Sequence, residues 1–419
     1  MEERPCKIGR RNFLKTIGAI GLGSVFTSHK VKAGPNEPNA PGKDQNFKVP
    51  QVPRRKLGKT GVEVPCMSLG TNRLDNQIIL RNALEWGVKY WDTANSYVGG
   101  NSELTIGKYL AKNPEVRKEL FIVSKASGAQ KAPTPKAVVA KVEEHLQTSL
   151  KRMNTNYIDL YYGVHGLEDT AQLTDELKQW VNNAKKRGVI RFFGFSTHKN
   201  MAQNLSAAAK LDWIDAIMTT YNFRLMQDDK LQASIEACHK AGIGIIAMKT
   251  LGRRSGHKVE TEEDKKLVMR FLQRGFTDDQ AKIKAVLGNE RISSACVGTN
   301  NVAHFVSNVA ATIDKTKLSQ ADIAALREYA DVTCNGYCAG CAYICDAALP
   351  DLPYISDIMR YLMYCNSYGE RDRARQLFAQ IPSSVRNKLL RADYTPAETR
   401  CPQRMPIAKL MTEAVEKLA

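Results

Sequence analysis

Short apolar runs alternate with longer amphipathic segments between residues 54 and 313. The runs have the length and composition of buried strands, and they span residues 66–71, 89–94, 120–125, 158–165, 190–196, 216–222, 244–250 and 293–299. The intervening segments have a helical period, as in residues 136–153, where an apolar side chain recurs every four positions from Val138 to Leu150. Eight strands separated by helices predict a (β/α)8 TIM barrel, an α/β fold, over residues 54–315.

The other fold with alternating strands and helices is the doubly wound parallel sheet. Its dinucleotide-binding form has a Gly-x-Gly-x-x-Gly turn after an early strand. Residues 54–315 contain no such turn, so the barrel is the favoured fold class.

Chemically active side chains end three consecutive predicted strands. These are Asp92, Lys125 and His165, and Tyr97 follows the first of them by five positions. In a parallel barrel the carboxyl ends of the strands and the loops after them meet at one rim, where active sites lie. We therefore expect the four side chains to form one site. Each also has an ordinary structural role as its alternative: a turn cap, a surface aromatic, a solvated strand end or a hydrogen-bonded rim residue.

The four side chains suit the reduction of a carbonyl group by hydride. Negative charge develops on the carbonyl oxygen during such a reaction, so a proton donor is needed there. Tyr97 is the predicted general acid, because a lysine cation nearby favours the phenolate and an aspartate can hold that lysine in place. Lys125 and Asp92 are the candidates for these roles. His165 would donate a hydrogen bond to the oxygen and orient the substrate.

Several motifs in this region resemble those of the aldo-keto reductases, and they occur in the family's order. They are residues 55–61 with 68–71, 91–94 with Tyr97, 124–125, 150–153 with 157–160, and 194–198. The resemblance covers the whole barrel. It implies an oxidoreductase that reduces an aldehyde or ketone, or oxidises the alcohol, with a nicotinamide cofactor extended across the barrel mouth.

The same resemblance implies a set of cofactor contacts along the rim: Thr71, Asp92, Ser196, Thr197, Met218, Lys249, Thr250, Gly298, Thr299, Asn300, His304 and Asn308. Thr197 and Met218 replace the asparagine and glutamine that are common in the family, and residues 248–251 replace its usual tyrosine. Gly298 and His304 stand where members that prefer NADP have basic residues, and an imidazole is a weaker partner for a phosphate than the arginine fork. The expected cofactor is NADP or NAD, with NADP favoured.

Beyond residue 316 the pattern changes to helices and clustered cysteines. A helix is predicted over residues 318–330 with Ser319 as its N-cap. Four cysteines follow with the spacing C-x3-C-x2-C-x3-C, and a later one precedes a proline: Cys334, Cys338, Cys341, Cys345 and Cys401. We expect residues 316–419 to form a small, mostly helical extension.

The cysteine layout resembles the ferredoxin-type extension found on one branch of the aldo-keto reductases. That resemblance implies one 4Fe-4S cluster held by Cys334, Cys338, Cys341 and Cys401, with Cys345 competing as the fourth ligand. Disulfides and a zinc site are the alternatives.

Residues 1–33 have the features of an export signal. Arg10 and Arg11 precede a mild apolar stretch at residues 17–26, and residues 31–33 then offer small side chains at a spacing that a signal peptidase accepts. This resembles a twin-arginine signal, which implies export of the folded protein by the twin-arginine machinery and a periplasmic location. A basic amphipathic start on a cytoplasmic protein is the alternative, and the stretch is too short and glycine-rich for a membrane span. Residues 34–53 are rich in proline and are expected to be a linker.

The formal net charge of +18 raises the question of nucleic-acid binding. Outside the N-terminal segment the basic residues are spread along the sequence without a basic run or interleaved aromatics, so nucleic acid is not an expected partner. The expected partner is a small carbonyl or alcohol substrate. The alternative function is an exported iron-sulfur redox relay or binding protein that uses the barrel as a scaffold, together with an electron-transfer partner.

Overall fold

The computed structural model of the protein describes residues 49–256, 261–299 and 301–419. The predicted export signal, residues 1–33, and residues 34–48 of the predicted linker lie outside these ranges. Among the helices within the ranges, none combines the length and the apolar character that a membrane-spanning segment needs.

Eight parallel strands close into a barrel, and two shorter strands precede them. In chain order the described strands are β1 (Arg54–Lys56), β2 (Glu63–Pro65), β3 (Met67–Gly70), β4 (Tyr90–Asp92), β5 (Phe121–Ser127), β6 (Ile158–His165), β7 (Ile190–Thr197), β8 (Ala216–Thr220), β9 (Gly244–Met248) and β10 (Ile292–Gly298). Strands β3 to β10 pair in sequence order, and β10 closes the barrel by pairing with β3. All eight predicted strands are present, and the barrel prediction is confirmed.

Helices surround the barrel on the outside. They are α1 (Ile78–Glu85), α2 (Asn101–Lys112), α3 (Pro135–Met153), α4 (Asp175–Lys186), α5 (Met201–Ala208), α6 (Asp229–Lys240), α7 (Glu262–Gln273), α8 (Asp278–Leu287) and α9 (Val302–Ile313). Helix α3 confirms the helix predicted from the four-residue apolar repeat. Its start is defined by Pro135 at the first helical position and by Thr134, whose side chain accepts a hydrogen bond from the Ala137 amide.

The antiparallel hairpin of β1 and β2 closes the amino-terminal end of the barrel. Leu57 and Val64 are fully buried and join the apolar interior of the barrel. Arg55 fixes the hairpin from outside, because its guanidinium donates to the carbonyl oxygens of Leu287 (2.6 Å) and Ile292 (2.8 Å). The apolar interior therefore fills the lower part of the barrel and leaves the carboxyl ends of the strands for polar side chains.

Alternation along the strands places the polar side chains above this interior. Side chains two positions apart in a strand lie on the same face. Tyr90 and Val123 belong to the interior apolar cluster. Asp92 and Lys125 follow them by two positions, so they face inward one layer higher, at the rim.

The C-terminal extension is helical and has its own apolar core. Its helices are α10 (Gln320–Val332), α11 (Ala342–Ala348), α12 (Ile355–Tyr368), α13 (Arg371–Ala379), α14 (Ser383–Arg386), α15 (Thr395–Arg400) and α16 (Ile407–Leu418). The predicted helix after residue 318 corresponds to α10. Its predicted N-cap is also confirmed, because the Ser319 side chain accepts a hydrogen bond from the Asp322 amide.

The extension packs against the loops at the barrel rim. Glu370 accepts hydrogen bonds from Asn72 (2.9 Å) and Arg73 (3.0 Å), which follow β3. On another side, Asn366 donates to the carbonyl oxygen of Ser255 at 2.7 Å. Helices α12 and α13 are therefore placed beside the strand ends that carry the predicted site.

Candidate active site

A buried ion pair joins the ends of β4 and β5. The Lys125 ammonium lies 2.5 Å from Asp92 Oδ1, and the two side chains are 0% and 3% exposed. The same ammonium donates to the carbonyl oxygen of Thr93 at 2.7 Å. The lysine is thus held by two acceptors, and its direction is fixed toward the rim.

Tyr97 and His165 complete the group around this ion pair. The Lys125 ammonium lies 4.8 Å from the centroid of the Tyr97 ring. The rings of Tyr97 and His165 are 6.1 Å apart between centroids and meet edge to face at 75°. The structure therefore brings together the four side chains that the strand-end pattern selected.

The pKa shifts of the ion pair follow from burial and proximity. Burial raises the pKa of Asp92, and Lys125 partly offsets that effect. Burial lowers the pKa of Lys125, but the charges of Asp92 and Tyr97 outweigh it, so the pKa of the ammonium is raised. Lys125 is a cation at neutral pH.

Burial also dominates the electrostatics of Tyr97. It raises the pKa of the phenol to about 12, although Lys125 and Arg373 both act to lower it. Lys125 favours the phenolate as the sequence suggested, yet its effect is smaller than the effect of desolvation. Tyr97 is therefore protonated at neutral pH, which is the state that a proton donor requires.

His165 is neutral and is held by a serine that the sequence analysis did not select. Burial, followed by the charges of Lys125 and Arg373, lowers its pKa well below the ordinary value of 6.5. Its Nδ1 lies 2.7 Å from Ser127 Oγ, which in turn lies 2.7 Å from Ser96 Oγ. When the Ser127 hydroxyl donates to Nδ1, the imidazole proton is on Nε2 and is free to donate elsewhere.

Two of the predicted cofactor contacts are built into the rim close to this group. The Thr71 hydroxyl donates to the carbonyl oxygen of Asp92 at 2.8 Å. Ser196 is buried at the end of β7, where its hydroxyl accepts a hydrogen bond from the Gly166 amide at 3.1 Å. Both lie beside strand ends of the barrel.

Two other predicted cofactor contacts have side chains that pack or form hydrogen bonds within the protein. The Thr197 hydroxyl contacts the carbonyl oxygens of Leu167 (2.9 Å) and Lys199 (2.8 Å). Met218 is buried in the apolar interior of the barrel. Cofactor binding by Thr197 and Met218 remains a prediction.

The remaining predicted contacts follow β9 and β10. Lys249 and Thr250 come directly after β9, and Thr250 is buried. Gly298 ends β10, and Asn300 lies outside the described residues. The Thr299 hydroxyl donates to the carbonyl oxygen of Asn301 at 2.8 Å. The last two predicted contacts, His304 and Asn308, lie on α9.

Side chains from the extension border the site from above. The guanidinium carbon of Arg373 lies 5.9 Å from the Tyr97 ring and 4.7 Å from the Tyr364 ring. The Lys249 ammonium lies 4.4 Å from the Tyr364 ring and 4.8 Å from the Tyr368 ring. The sequence gives no local signal for these contacts, because they depend on how the extension docks on the barrel.

Four of the clustered cysteines line one cavity within the extension: Cys338, Cys341, Cys345 and Cys401. Its other walls are mainly apolar and include Met359 from α12. Cys334 is not among the lining residues, and its sulfur accepts a hydrogen bond from Arg404 at 3.3 Å. The structure thus gathers Cys345 with the group and places Cys334 outside it.

The nine cysteines of the described ranges are free thiols. Within the same ranges, no group of three or more His, Cys, Asp or Glu side chains is arranged around a position for a single metal ion.

Comparison with known proteins relates the barrel to one protein family. The model of the aldo/keto reductase family matches residues 67–287. A thermostable aldo-keto reductase, solved in complex with the inhibitor epalrestat, is 25% identical, and the match covers 66% of this chain and 99% of that one with a TM-score of 0.53. The holo form of an aldo-keto reductase from Bacillus halodurans is 21% identical, and the match covers 67% of this chain and 96% of that one with a TM-score of 0.53. This second likeness concerns the fold alone.

Proposed function

This chain belongs to the aldo/keto reductase family, and on that premise we propose that it reduces an aldehyde or ketone, or oxidises the alcohol, with a nicotinamide cofactor. The observation that carries the proposal is the meeting of Tyr97 and His165 around the buried pair of Lys125 and Asp92. The bound cofactor would supply or accept the hydride. The protein side chains would handle the proton and the developing charge.

In this proposal Tyr97 donates its proton to the oxygen of the substrate during reduction. The phenolate that remains is stabilised by the Lys125 ammonium, 4.8 Å from the ring centroid. Asp92 keeps that ammonium in place and balances its charge, and both side chains of the ion pair are buried. In the direction of alcohol oxidation the same phenolate would accept the proton.

His165 has the role of an orienting donor. A neutral imidazole with its proton on Nε2 can donate a hydrogen bond to the carbonyl oxygen. In this tautomer the Ser127 hydroxyl donates to Nδ1 across the 2.7 Å contact. The substrate oxygen would then be held between the imidazole and the phenol, which is the geometry that proton transfer needs.

The residues present fit a nicotinamide cofactor at the rim. Gly70 and Gly298 are direct partners in the register of β3 and β10, so neither strand end carries a side chain there. Backbone without side chains allows a ligand to approach closely. We propose NADP as the favoured cofactor and NAD as the alternative, and the ratio of turnover with the two decides between them.

The variant Tyr97→Phe tests the proton donor in purified protein. Loss of a general acid is expected to lower carbonyl reduction about a hundredfold or more. The matched control is Tyr343→Phe, because Tyr343 is an exposed residue of the extension. Unchanged reduction by Tyr97→Phe, with cofactor binding intact, would exclude Tyr97 as the donor.

We further propose that Cys338, Cys341, Cys345 and Cys401 hold one 4Fe-4S cluster. The proposal is supported by their position on the wall of one cavity whose remaining walls are mainly apolar, because thiolates are the ligands of such clusters. The set differs from the expectation in that Cys345 replaces Cys334. The cluster would supply one-electron transfer or would hold the extension together.

Two matched variants test the ligand set. Cys345→Ser is expected to lose iron and acid-labile sulfide from anaerobically purified protein, whereas Cys334→Ser should retain both. Near-zero iron and sulfide in the unaltered protein would exclude the cluster. The reverse pattern between the two variants would restore Cys334 as the ligand.

The second candidate function is the iron-sulfur redox relay or binding protein with an electron-transfer partner. One observation favours it: α12 contributes Ser356 and Met359 to the cysteine cavity and also carries Tyr364 beside Arg373 near the site. A binding titration separates the candidates, because only the reductase requires NADPH or NADH to bind.

We also propose export of the folded protein to the periplasm by the twin-arginine machinery. The support is the Arg10-Arg11 motif and the apolar stretch after it. The double variant Arg10→Lys, Arg11→Lys should leave the protein in the cytoplasm of the host cell. An unchanged distribution between cell fractions would refute the proposal.

A further inference from the structure

Positive charge exceeds negative charge where the extension meets the barrel rim. Asp357 forms ion pairs with both Lys199 and Arg360. Glu370 is likewise shared by Arg73 (3.0 Å) and Arg373 (2.8 Å). A third carboxylate, that of Glu168, lies 3.6 Å from Lys199.

Lys249 adds one more cation to this region, and no carboxylate within the described residues lies within 4.0 Å of its ammonium. The ammonium instead lies over the rings of Tyr364 and Tyr368. An aromatic face compensates an ammonium less completely than a carboxylate does. Burial lowers the pKa of Lys249, and an anion that enters the site would stabilise its ammonium form.

The backbone at Lys249 is also unusual. Its φ is +58°, in the left-handed region that a residue with a side chain rarely adopts. Conformations of this kind cost free energy and are concentrated at functional sites. The turn after β9 therefore directs the lysine toward the extension at some cost in stability.

The excess charge adjoins the proton donor. Arg373 contacts both Tyr97 and Tyr364, so it links the donor to the ring under the Lys249 ammonium. After burial, cations are the strongest influences on the two histidines of this region, and Lys249, Arg360 and Arg373 lower the pKa of both His165 and His198. The neutral histidines add no positive charge of their own, so the excess comes from the lysine and arginine side chains.

We propose that Lys249 and Arg373 form an anion-binding subsite that takes the carboxylate or phosphate of an anionic carbonyl substrate beside Tyr97. This inference rests on the proposed reductase function. The subsite differs from the earlier expectation for Lys249, which assigned it to the cofactor. One of the two cations, Arg373, comes from the extension, so the extension would help to select the substrate for the barrel.

The phosphates of the cofactor are the other source of an anion. The contacts expected for them, Gly298 and His304, follow β10, whereas the subsite is tied to Tyr97 through Arg373. We therefore assign the anion held beside Tyr97 to the substrate and the anions near β10 to the cofactor. The experiment separates the two sources by measuring substrate preference and cofactor affinity in the same variant.

The first arm compares 4-carboxybenzaldehyde with its methyl ester, which differ in charge and share the same aldehyde. The unaltered protein should have the higher kcat/KM for the acid. Lys249→Met should lower kcat/KM for the acid about tenfold to a hundredfold more than for the ester, the range expected for hydrogen bonds to a charged group. Lys249→Arg should recover most of the preference, and Lys112→Met, on the exposed face of α2, is the matched control.

The second arm measures binding of terephthalate, a dicarboxylate that cannot be reduced, to the full chain by calorimetry. Binding by the unaltered protein and its loss in Lys249→Met would support the subsite even if neither aldehyde were reduced. Titration of the same protein with NADPH and NADH tests the reductase function separately, because that function fails if neither cofactor binds. Absence of terephthalate binding together with equal losses on acid and ester would overturn the subsite. The subsite would also be overturned if Lys249→Met lost NADPH affinity and lost kcat/KM equally for the acid and the ester. That result would assign Lys249 to the phosphates of the cofactor.

Discussion

Ser127 Oγ lies 2.7 Å from His165 Nδ1, and this contact sets which nitrogen of the imidazole faces the site. The backbone amide of Ser127 also donates to Asn95 Oδ1 at 3.0 Å, so the serine is fixed to the loop that leads to Tyr97. Ser127 is a positioning residue, because it acts on the substrate only through His165.

Replacing Ser127 by alanine should lower kcat/KM for carbonyl reduction about fivefold to tenfold, which corresponds to the loss of a hydrogen bond worth about 1 kcal/mol. NMR of the imidazole nitrogens provides a second readout, because the ratio of the two tautomers should shift in the variant. Ser206→Ala, at an exposed position of α5, is the control. An unchanged tautomer ratio would leave Ser127 with a structural role only.

The raised pKa of Tyr97 predicts how the reaction depends on pH. Since burial raises that pKa to about 12, the phenol keeps its proton throughout the neutral range. Reduction should therefore show no loss from Tyr97 between about pH 6 and pH 9. Alcohol oxidation requires the phenolate and should rise steadily with pH over the same range. A fall in the rate of reduction centred near neutral pH, absent from Tyr97→Phe, would contradict this assignment.

The barrel could be predicted because its strands are buried on both faces. Such strands appear in sequence as short apolar runs, and all eight were found in this way. The hairpin of β1 and β2 was missed because its strands have three residues each and include Arg54 and Glu63, which do not form an apolar run. Its position depends on the contacts of Arg55 with the opposite end of the barrel sequence.

The site was predictable as far as it lies on strand ends. Asp92, Lys125 and His165 follow from that rule, and Ser127 could have been found from the same pattern, because it lies two positions after Lys125 on the same face of β5. Arg373 could not be found, since its place near Tyr97 depends on the docking of α13. For a similar reason the spacing of the cysteines did not show that Cys345 lines the cavity and that Cys334 lies outside it.

Asp264 connects α7 with α10 and with the loop after β9. Its carboxylate accepts hydrogen bonds from Tyr329 (2.5 Å) and Arg254 (2.7 Å). Burial raises its pKa, but Tyr329, the Thr261 amide and Arg254 outweigh that effect and lower the pKa to about 2. The extension is thus tied to the barrel through a carboxylate that must remain ionised.

A carboxyl group whose pKa is lower in the folded state than in the unfolded state stabilises the folded state. This stabilisation is present at pH values above the pKa of the group in the unfolded state. The contribution of Asp264 should therefore be complete above about pH 4 and should be lost as the pH falls toward 2. Asp264→Asn should lower the free energy of unfolding at pH 7 by about 2 kcal/mol and should flatten this acid dependence. Denaturant unfolding at several pH values checks both effects, with Asp331→Asn on the exposed side of α10 as control. Equal losses in the two variants would refute the role of Asp264.

Arg152 and Glu103 form a half-buried pair behind the loop that carries Tyr97. Glu103 is fully buried and accepts hydrogen bonds from Arg152 (3.2 Å) and from Ser124 (2.6 Å). The Arg152 guanidinium also donates to the carbonyl oxygen of Asn95 at 2.8 Å. The arginine therefore stabilises the fold and positions the loop.

These two roles separate in a double-mutant cycle. Arg152→Met leaves a buried carboxylate without its cation and should destabilise the protein by about 3 to 5 kcal/mol. Adding Glu103→Gln removes that charge, so the double variant should recover a large part of the stability. Carbonyl reduction should stay low in the double variant, because the contact with Asn95 is still missing and the loop that carries Tyr97 is no longer held. Recovery of the activity together with the stability would show that Arg152 acts only through its charge on Glu103.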